Sequence, residues 1–393
     1  MGDPGPRPPR RVAAVLALAV AGTALASGPP AAAQGTVTLQ ASPSRVTYGD
    51  PVTLSGAVDP PSGGEVVRLV DDAGTELGEA TTGAAGRFSF EFVPEANLVV
   101  TARWEGAESA PVALEVRPDL RVSLGPVRLF DRAIARGTMA PTGADGTIRV
   151  RLLRSGRAVG ARSVAVDGSG RFRTSFRILR PGRYRAVARF GGPHHLPARA
   201  RSEVRATPLP ELRVGSRGPA VRALERRLVE LRYHLPGVDD RYGAPTADAV
   251  MAFRKVQGLP RRWTVGPAVW RALADPRPPR ARAGGRGFHV EVDQTRQVLY
   301  TVRDGRVIDV LHVSTGAGGA TRDGTFRVYR KLAGYSPNRL YYPSYFDGLR
   351  AIHGWPEVPS YPASHGCVRV PMWSATWIYG RVRLGTRVVV YHS

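Results

Sequence analysis

Ser364-His365-Gly366-Cys367-Val368-Arg369, preceded at a short distance by Ile352-His353-Gly354, is the stretch that decides how this chain is read. Cys367 is the only cysteine in 393 residues, so no intrachain disulfide exists. A lone thiol is by default a small buried hydrophobe. Two histidines, each followed by glycine, change that reading. Cysteine acyl transfer needs a thiolate to attack, an imidazole to take the thiol proton, and glycines that let backbone N–H groups approach a developing oxyanion.

Working outward, residues 287–393 are strand-rich. Apolar runs appear at Phe288–Val292, Val298–Val302, Val307–Leu311, Thr325–Tyr329 and Val388–Tyr391, with one helix expected around Ser374–Tyr379. A Pro, Arg, Ala and Gly-rich linker, 277–286, precedes them. Residues 207–276 read as three helices. Gly218-Pro219 opens the first, with Val221, Leu224, Leu228 and Leu231 at helical spacing. Thr246 starts the second, with Val250 and Phe253 inward, and Gly258 stops it. Gly266-Pro267 starts the third, which carries Val269, Trp270 and Leu273.

Farther upstream, 34–118 shows short alternating strands between Gly, Pro, Asp and Ser clusters, the pattern of an antiparallel β-sandwich. It recurs over 119–206. Gly86-Arg87-Phe88 returns as Gly170-Arg171-Phe172, and Ala102-Arg103-Trp104 as Ala188-Arg189-Phe190. At the N-terminus, Arg7, Arg10 and Arg11 precede an apolar run of about 15 residues from Val12 to about Ala26, too short to span a bilayer, and small residues follow to Ala31-Ala32-Ala33. A secretory signal peptide over 1–33 is expected, cut after Ala33, with Ala26 as a competing site. An uncleaved segment would be the only membrane attachment.

Lys+Arg number 56 against 32 Asp+Glu, a net charge of +24. Only Lys255 and Lys331 are lysine, and the arginines are spread over every segment. No helix-turn-helix, zinc-finger or RNA-binding pattern accompanies the charge, which argues against a nucleic-acid partner. His194-His195 and His234 lack partners at ligand spacing, so no metal and no cofactor is expected.

Three resemblances follow. The two β-rich repeats resemble bacterial immunoglobulin-like surface domains, which implies spacers. Leu212-Arg213-Val214-Gly215-Ser216-Arg217-Gly218, Phe253-Arg254-Lys255-Val256-Gln257-Gly258-Leu259 and Val265-Gly266-Pro267 resemble the peptidoglycan-binding type 1 domain. Arg261-Arg262-Trp263-Thr264 departs from that family's small Asp/Gly turn. The last segment resembles the L,D-transpeptidase catalytic domain (YkuD type) through Val313-Ser314-Thr315-Gly316, Asp323-Gly324-Thr325-Phe326 and the two motifs quoted first.

That likeness implies Cys367 as nucleophile and His353 as general base, its imidazole oriented by a backbone carbonyl. His365 and Arg369 would shape the pocket and Ser364 would orient its neighbours. The N–H groups of Gly366 and Cys367 would face the oxyanion. Gly354, Tyr342 and Phe346 are expected at the substrate cleft, although Tyr341–Phe346 also reads as a packed aromatic cluster. Two departures stand out. His353 and Cys367 are 14 positions apart, which implies an altered lid, and Arg322 replaces the usual proline before Gly324.

The implied activity is an exported, cell-wall enzyme that forms 3→3 cross-links between peptidoglycan stems through a cysteine thioester. Stem peptides and glycan strands would be its partners, and carbapenem-type β-lactams its covalent inhibitors. An L,D-carboxypeptidase and a non-catalytic wall-binding protein are the alternatives. The fold expected is multidomain: two β-sandwiches, a three-helix module and a mainly β catalytic domain.

Overall fold

The computed structural model describes residues 35–393. The expected signal peptide lies outside the described residues. Among those described, no helix is long and apolar enough to cross a membrane. The chain divides into two compact units: one comprises 35–42, 53–91 and 99–112, and the other the remaining described residues.

In the first unit, strand Val52–Asp59 is flanked by Thr36–Val37, Gln40–Ser42 and Arg87–Phe92, while Val66–Asp71 lies between Glu76–Thr81 and Leu98–Trp104. Leu54, Leu69 and Phe88 are buried. The second sandwich, in the other unit, pairs Asp119–Leu124, Arg132–Ala140 and Arg171–Arg177 in one sheet. Its second sheet centres on Thr147–Arg154 and Arg183–Gly192. The repeat seen in the sequence is physical. Gly86 and Gly170 both take positive φ, 71° and 76°, and turn the chain into a buried phenylalanine. A Cβ on Gly56 would meet Phe88 at 2.5 Å, and one on Gly137 would meet Phe172 at 2.1 Å. Each phenyl ring therefore lies over a glycine in the adjoining strand.

The helical module comprises α1 (Pro219–Glu230), α2 (Ala244–Gln257) and α3 (Pro267–Ala274). α2 begins two residues before Thr246, because Pro245 is tolerated in a first turn. The Thr246 hydroxyl is used elsewhere: it donates at 2.7 Å to the buried carboxylate of Glu225. Val221, Leu224, Leu228, Phe253 and Leu273 form the core, and Leu231 is only partly buried. α2 is buried on more than its own module's side, with Met251 and Lys255 also enclosed.

The C-terminal segment holds β1 (Phe288–Asp293), β2 (Val298–Arg303), β3 (Arg306–His312), β4 (Gly324–Arg327), β5 (Arg330–Lys331), β6 (Tyr341–Asp347), β7 (Arg350–Trp355), β8 (Val368–Pro371), α4 (Met372–Arg381) and β9 (Arg387–Tyr391). Two sheets form, in the orders β3-β2-β1-β9-β4 and β5-β6-β7-β8. They enclose one core with α4, containing Val292, Leu299, Phe346, Ile352, Val368 and Ile378. Strand alternation sends Val298, Tyr300 and Val302 of β2 to the other face, where they join the cluster that includes Val250 and Phe253.

The 277–286 linker is docked, not free. Glu291 is fully buried and its carboxylate needs donors, which the N–H groups of Arg282 and Ala283 supply at 2.8 and 2.9 Å.

Candidate active site

β7 and β8 run parallel, with Ile352 beside Val368, His353 beside Arg369 and Gly354 beside Val370. Side chains alternate across a sheet. Ile352, Val368 and Val370 enter the core, so His353 and Arg369 occupy the other face. Cys367 directly precedes β8, and its thiol lies beside the Leu349 carbonyl and the Ala351 N–H of β7.

His353 is 2% exposed. Its Nδ1 lies 2.9 Å from the carbonyl oxygen of Gly354. A carbonyl only accepts, so Nδ1 carries the proton and Nε2 keeps a lone pair. Burial pulls this imidazole down to about 4, with the Arg369 charge adding to the effect. The ring meets Trp355 edge-on at 5.6 Å, and the Arg369 guanidinium lies 5.1 Å from the Trp355 ring centre.

Cys367 is half-buried, its Sγ 3.7 Å from the carbonyl of Leu349. Burial pushes the thiol up, while the Ala351 N–H and the charges of Arg369 and Arg350 oppose that rise. With the thiol raised and the imidazole lowered, the two rest in neutral form near pH 7. The arrangement suits proton transfer during attack more than a preformed ion pair.

The turn before Cys367 is held by Ser364, which is 3% exposed. Its hydroxyl donates to the Cys367 carbonyl at 2.6 Å and accepts the Gly366 N–H at 3.1 Å. Gly366 has φ +129°, and a Cβ there would sit 3.0 Å from both the Ala320 oxygen and Arg350 Nε. Glycine is needed for both reasons.

Several expectations are corrected. The Gly366 N–H is consumed within the turn and is not available to an oxyanion. The Cys367 N–H has no acceptor among the described residues. His365 is exposed and makes no side-chain hydrogen bond, ion pair or ring contact among them. Gly354 points to the α4 side, where a Cβ would strike Ala375 at 2.6 Å, because it alternates with His353. Tyr342 packs on that side too, against Tyr341 at 4.7 Å and Tyr379 of α4 at 5.0 Å. Phe346 is a core residue, 4% exposed and 5.6 Å from Phe326. The aromatic stretch is thus a packed cluster. The His195 ring bonds the Glu95 carbonyl at 3.0 Å. His234 stacks between Trp373 and Trp377.

One site residue had no signal in the sequence. Arg350 donates from Nε to the Ala320 carbonyl at 2.8 Å and from Nη1 to Asp347 at 3.0 Å, beside Gly366 and Cys367. Arg322 pairs with the same Asp347. The replaced proline has therefore become part of an Arg-Asp-Arg chain. Asp347 lies six positions before His353, paired across the turn with Arg350, and no motif announces it.

Residues 287–390 match the L,D-transpeptidase catalytic domain family, and 217–273 match a putative peptidoglycan binding domain. The L,D-transpeptidase of Xylanimonas cellulosilytica is 37% identical over 47% of this chain and 99% of that one, with a TM-score of 0.45. The L,D-transpeptidase of Stackebrandtia nassauensis is 27% identical over 47% of this chain and 97% of its own, with a TM-score of 0.31. The E. faecium L,D-transpeptidase catalytic domain acylated by ertapenem is 25% identical over 28% of this chain and 100% of its own, with a TM-score of 0.24. No curated protein matches.

Proposed function

The chain belongs to the L,D-transpeptidase family, and from that premise we propose that it is an exported enzyme that forms 3→3 cross-links in peptidoglycan through a thioester on Cys367. The supporting observation is that Cys367 enters the strand paired with that of His353, with the Nδ1 proton of His353 tied to Gly354 so that Nε2 can accept.

His353 Nε2 takes the thiol proton as Sγ attacks the carbonyl at the L-centre of the third stem residue. The Cys367 N–H faces the oxyanion. The peptide bond to the terminal D-residue breaks, its nitrogen receives the proton from His353, and the D-residue leaves. An amine of a second stem then attacks the thioester, gives a proton to His353, and releases the thiol. Arg369 and Arg350 favour the thiolate as it forms. Ser364 keeps the turn in the geometry this requires.

The peptidoglycan-binding module would hold the enzyme on its polymer, which raises effective concentration. The sandwiches would act as spacers in the wall. Carbapenems would acylate Cys367, since a strained amide offers the thiolate the same chemistry as the donor peptide.

Purified tetrapeptide muropeptides, incubated with the protein and analysed by mass spectrometry, test this reading. A cross-linked dimer lacking one terminal residue supports it, provided that Cys367→Ala makes none. Tripeptide alone would indicate a carboxypeptidase, and unchanged tetrapeptide a binding protein.

A further inference from the structure

The loop 356–363, which joins the strand of His353 to the turn of Cys367, is clamped by its carbonyl oxygens. Val358 accepts from His312 Nε2 at 2.9 Å, Ser360 from Arg261 Nη1 at 2.6 Å, and Tyr361 from Ser314 Oγ at 2.7 Å. Two of these three clamps depend on the peptidoglycan-binding module. Arg261 belongs to it, and its other terminal nitrogen holds the Thr295 carbonyl at 2.8 Å. His312 is set by Lys255 of α2, whose ammonium donates to His312 Nδ1 at 2.6 Å, Gln297 O at 2.8 Å and Val313 O at 3.1 Å.

The protons fix the arrangement. The Val358 carbonyl only accepts, so His312 carries its proton on Nε2 and offers Nδ1 as acceptor. Three acceptors surround the Lys255 nitrogen, matching the three protons of an ammonium, while burial and the Arg261 charge pull this group well below the usual lysine range. Lys255 is 4% exposed and His312 2% exposed, and no carboxylate contacts either among the described residues. A cation buried without an ion pair is tolerable only when every donor is satisfied. A module that served only as a tether would need no such cluster at this position.

Displacement of the loop would reach the chemistry from both ends. Its first end continues from Trp355, which packs against His353 and lies beneath Arg369. Its last end enters the turn through the Ala363 and Ser364 N–H groups, both on the Thr315 carbonyl, at 2.9 and 3.0 Å.

We propose that Lys255 and Arg261 of the peptidoglycan-binding module are positioning residues for the transpeptidase site: they hold the 356–363 loop and, through it, the relation of His353 to Cys367. This rests on the transpeptidase reading. The departure Arg261-Arg262-Trp263-Thr264 from the module's family pattern thereby acquires a use, with Trp263 edge-on to His312 at 6.3 Å.

The test uses the full chain as wild type, Arg261→Ala, Arg261→Lys and Lys255→Met. It reads stem-peptide kcat and KM, the alkylation rate of Cys367 by iodoacetamide, binding to purified sacculi, and thermal melting. Arg261→Ala is expected to lower kcat about 10- to 100-fold, to leave KM within about twofold, and to leave sacculus binding unchanged. Its alkylation rate should shift in the same variant, and Arg261→Lys should recover part of both. Lys255→Met should behave alike if its melt shows a folded protein; if it does not fold, Arg261→Ala decides. Unchanged kcat and alkylation in Arg261→Ala would overturn the proposal. So would a loss of activity that follows a loss of sacculus binding with KM raised, because that is what a pure tether would show. If wild type turns over no stem peptide, the transpeptidase reading fails by itself, and the alkylation rates alone decide whether the module positions Cys367.

Discussion

Ser364 and Cys367 are joined by a 2.6 Å hydrogen bond from the serine hydroxyl to the cysteine carbonyl, and the hydroxyl oxygen of Ser364 accepts the N–H of Gly366. One side chain therefore fixes the peptide on each side of the Cys367 amide. Ser364→Ala removes both bonds and leaves a buried N–H and carbonyl unpaired. A stability loss of about 1–3 kcal/mol is expected, together with a fall in kcat, because the Cys367 N–H would no longer be aimed. Chemical denaturation beside stem-peptide kinetics checks both; a serine that merely lines the pocket would change KM and leave stability intact.

Gly366 cannot accept a side chain. At φ +129°, with neighbours 3.0 Å from an ideal Cβ, Gly366→Ala is expected to cost about 1–3 kcal/mol and to displace Cys367. Thermal melting and the iodoacetamide alkylation rate of Cys367 measure the two effects. A variant that is as stable and as reactive as wild type would contradict the turn geometry.

The imidazole sets the pH dependence. An unfolded histidine titrates near ~6.5, and burial holds His353 to about 4 in the fold. Between these values the unfolded chain binds more protons. Stability from this group is therefore complete above about 6.5 and is lost as pH falls toward 4, at up to ~1.4 kcal/mol per pH unit. His234, also lowered by burial to about 4, acts in the same direction. Denaturation at pH 7, 6, 5 and 4 should show the decline in wild type and a shallower one in His353→Gln.

Arg350 should be felt at the thiol. Its charge and that of Arg369 oppose the rise that burial imposes on Cys367. Arg350→Ala is expected to move the alkylation profile of Cys367 to higher pH, and Arg350→Lys to restore part of the shift. An unmoved profile would confine Arg350 to its bonds with Ala320 and Asp347.

Phe346→Ala separates core from cleft. As a core ring packed on Phe326, its loss should cost about 3–5 kcal/mol, with KM unchanged in whatever protein remains folded. A raised KM with normal stability would return Phe346 to the substrate cleft.

The parts of this molecule that periodicity and turn chemistry govern were legible in the sequence. Gly218-Pro219, Gly258 and Gly266-Pro267 bound the helices because positive φ and a missing N–H are local constraints. The glycine-phenylalanine turns disclosed the sandwich repeat for the same reason. His353 and Cys367 were legible as residue types in a motif. What escaped is what depends on facing. Tyr342 and Phe346 carry rings suited to a cleft and Gly354 follows the motif histidine, but strand alternation turns Gly354 away from His353, and packing takes the two rings. Arg350, Lys255 and His312 gave no local sign, since each takes at least one partner from a distant segment: the Ala320 carbonyl, the Gln297 carbonyl and the Val358 carbonyl.

The most direct test of the account is intact-mass analysis of the protein quenched shortly after mixing with a tetrapeptide stem, followed by peptide mapping. The account predicts an added mass equal to the stem less its terminal residue, located on the peptide containing Cys367 and absent from Cys367→Ala. Cross-linked product formed by Cys367→Ala, or an adduct mapped to any other residue, would contradict it.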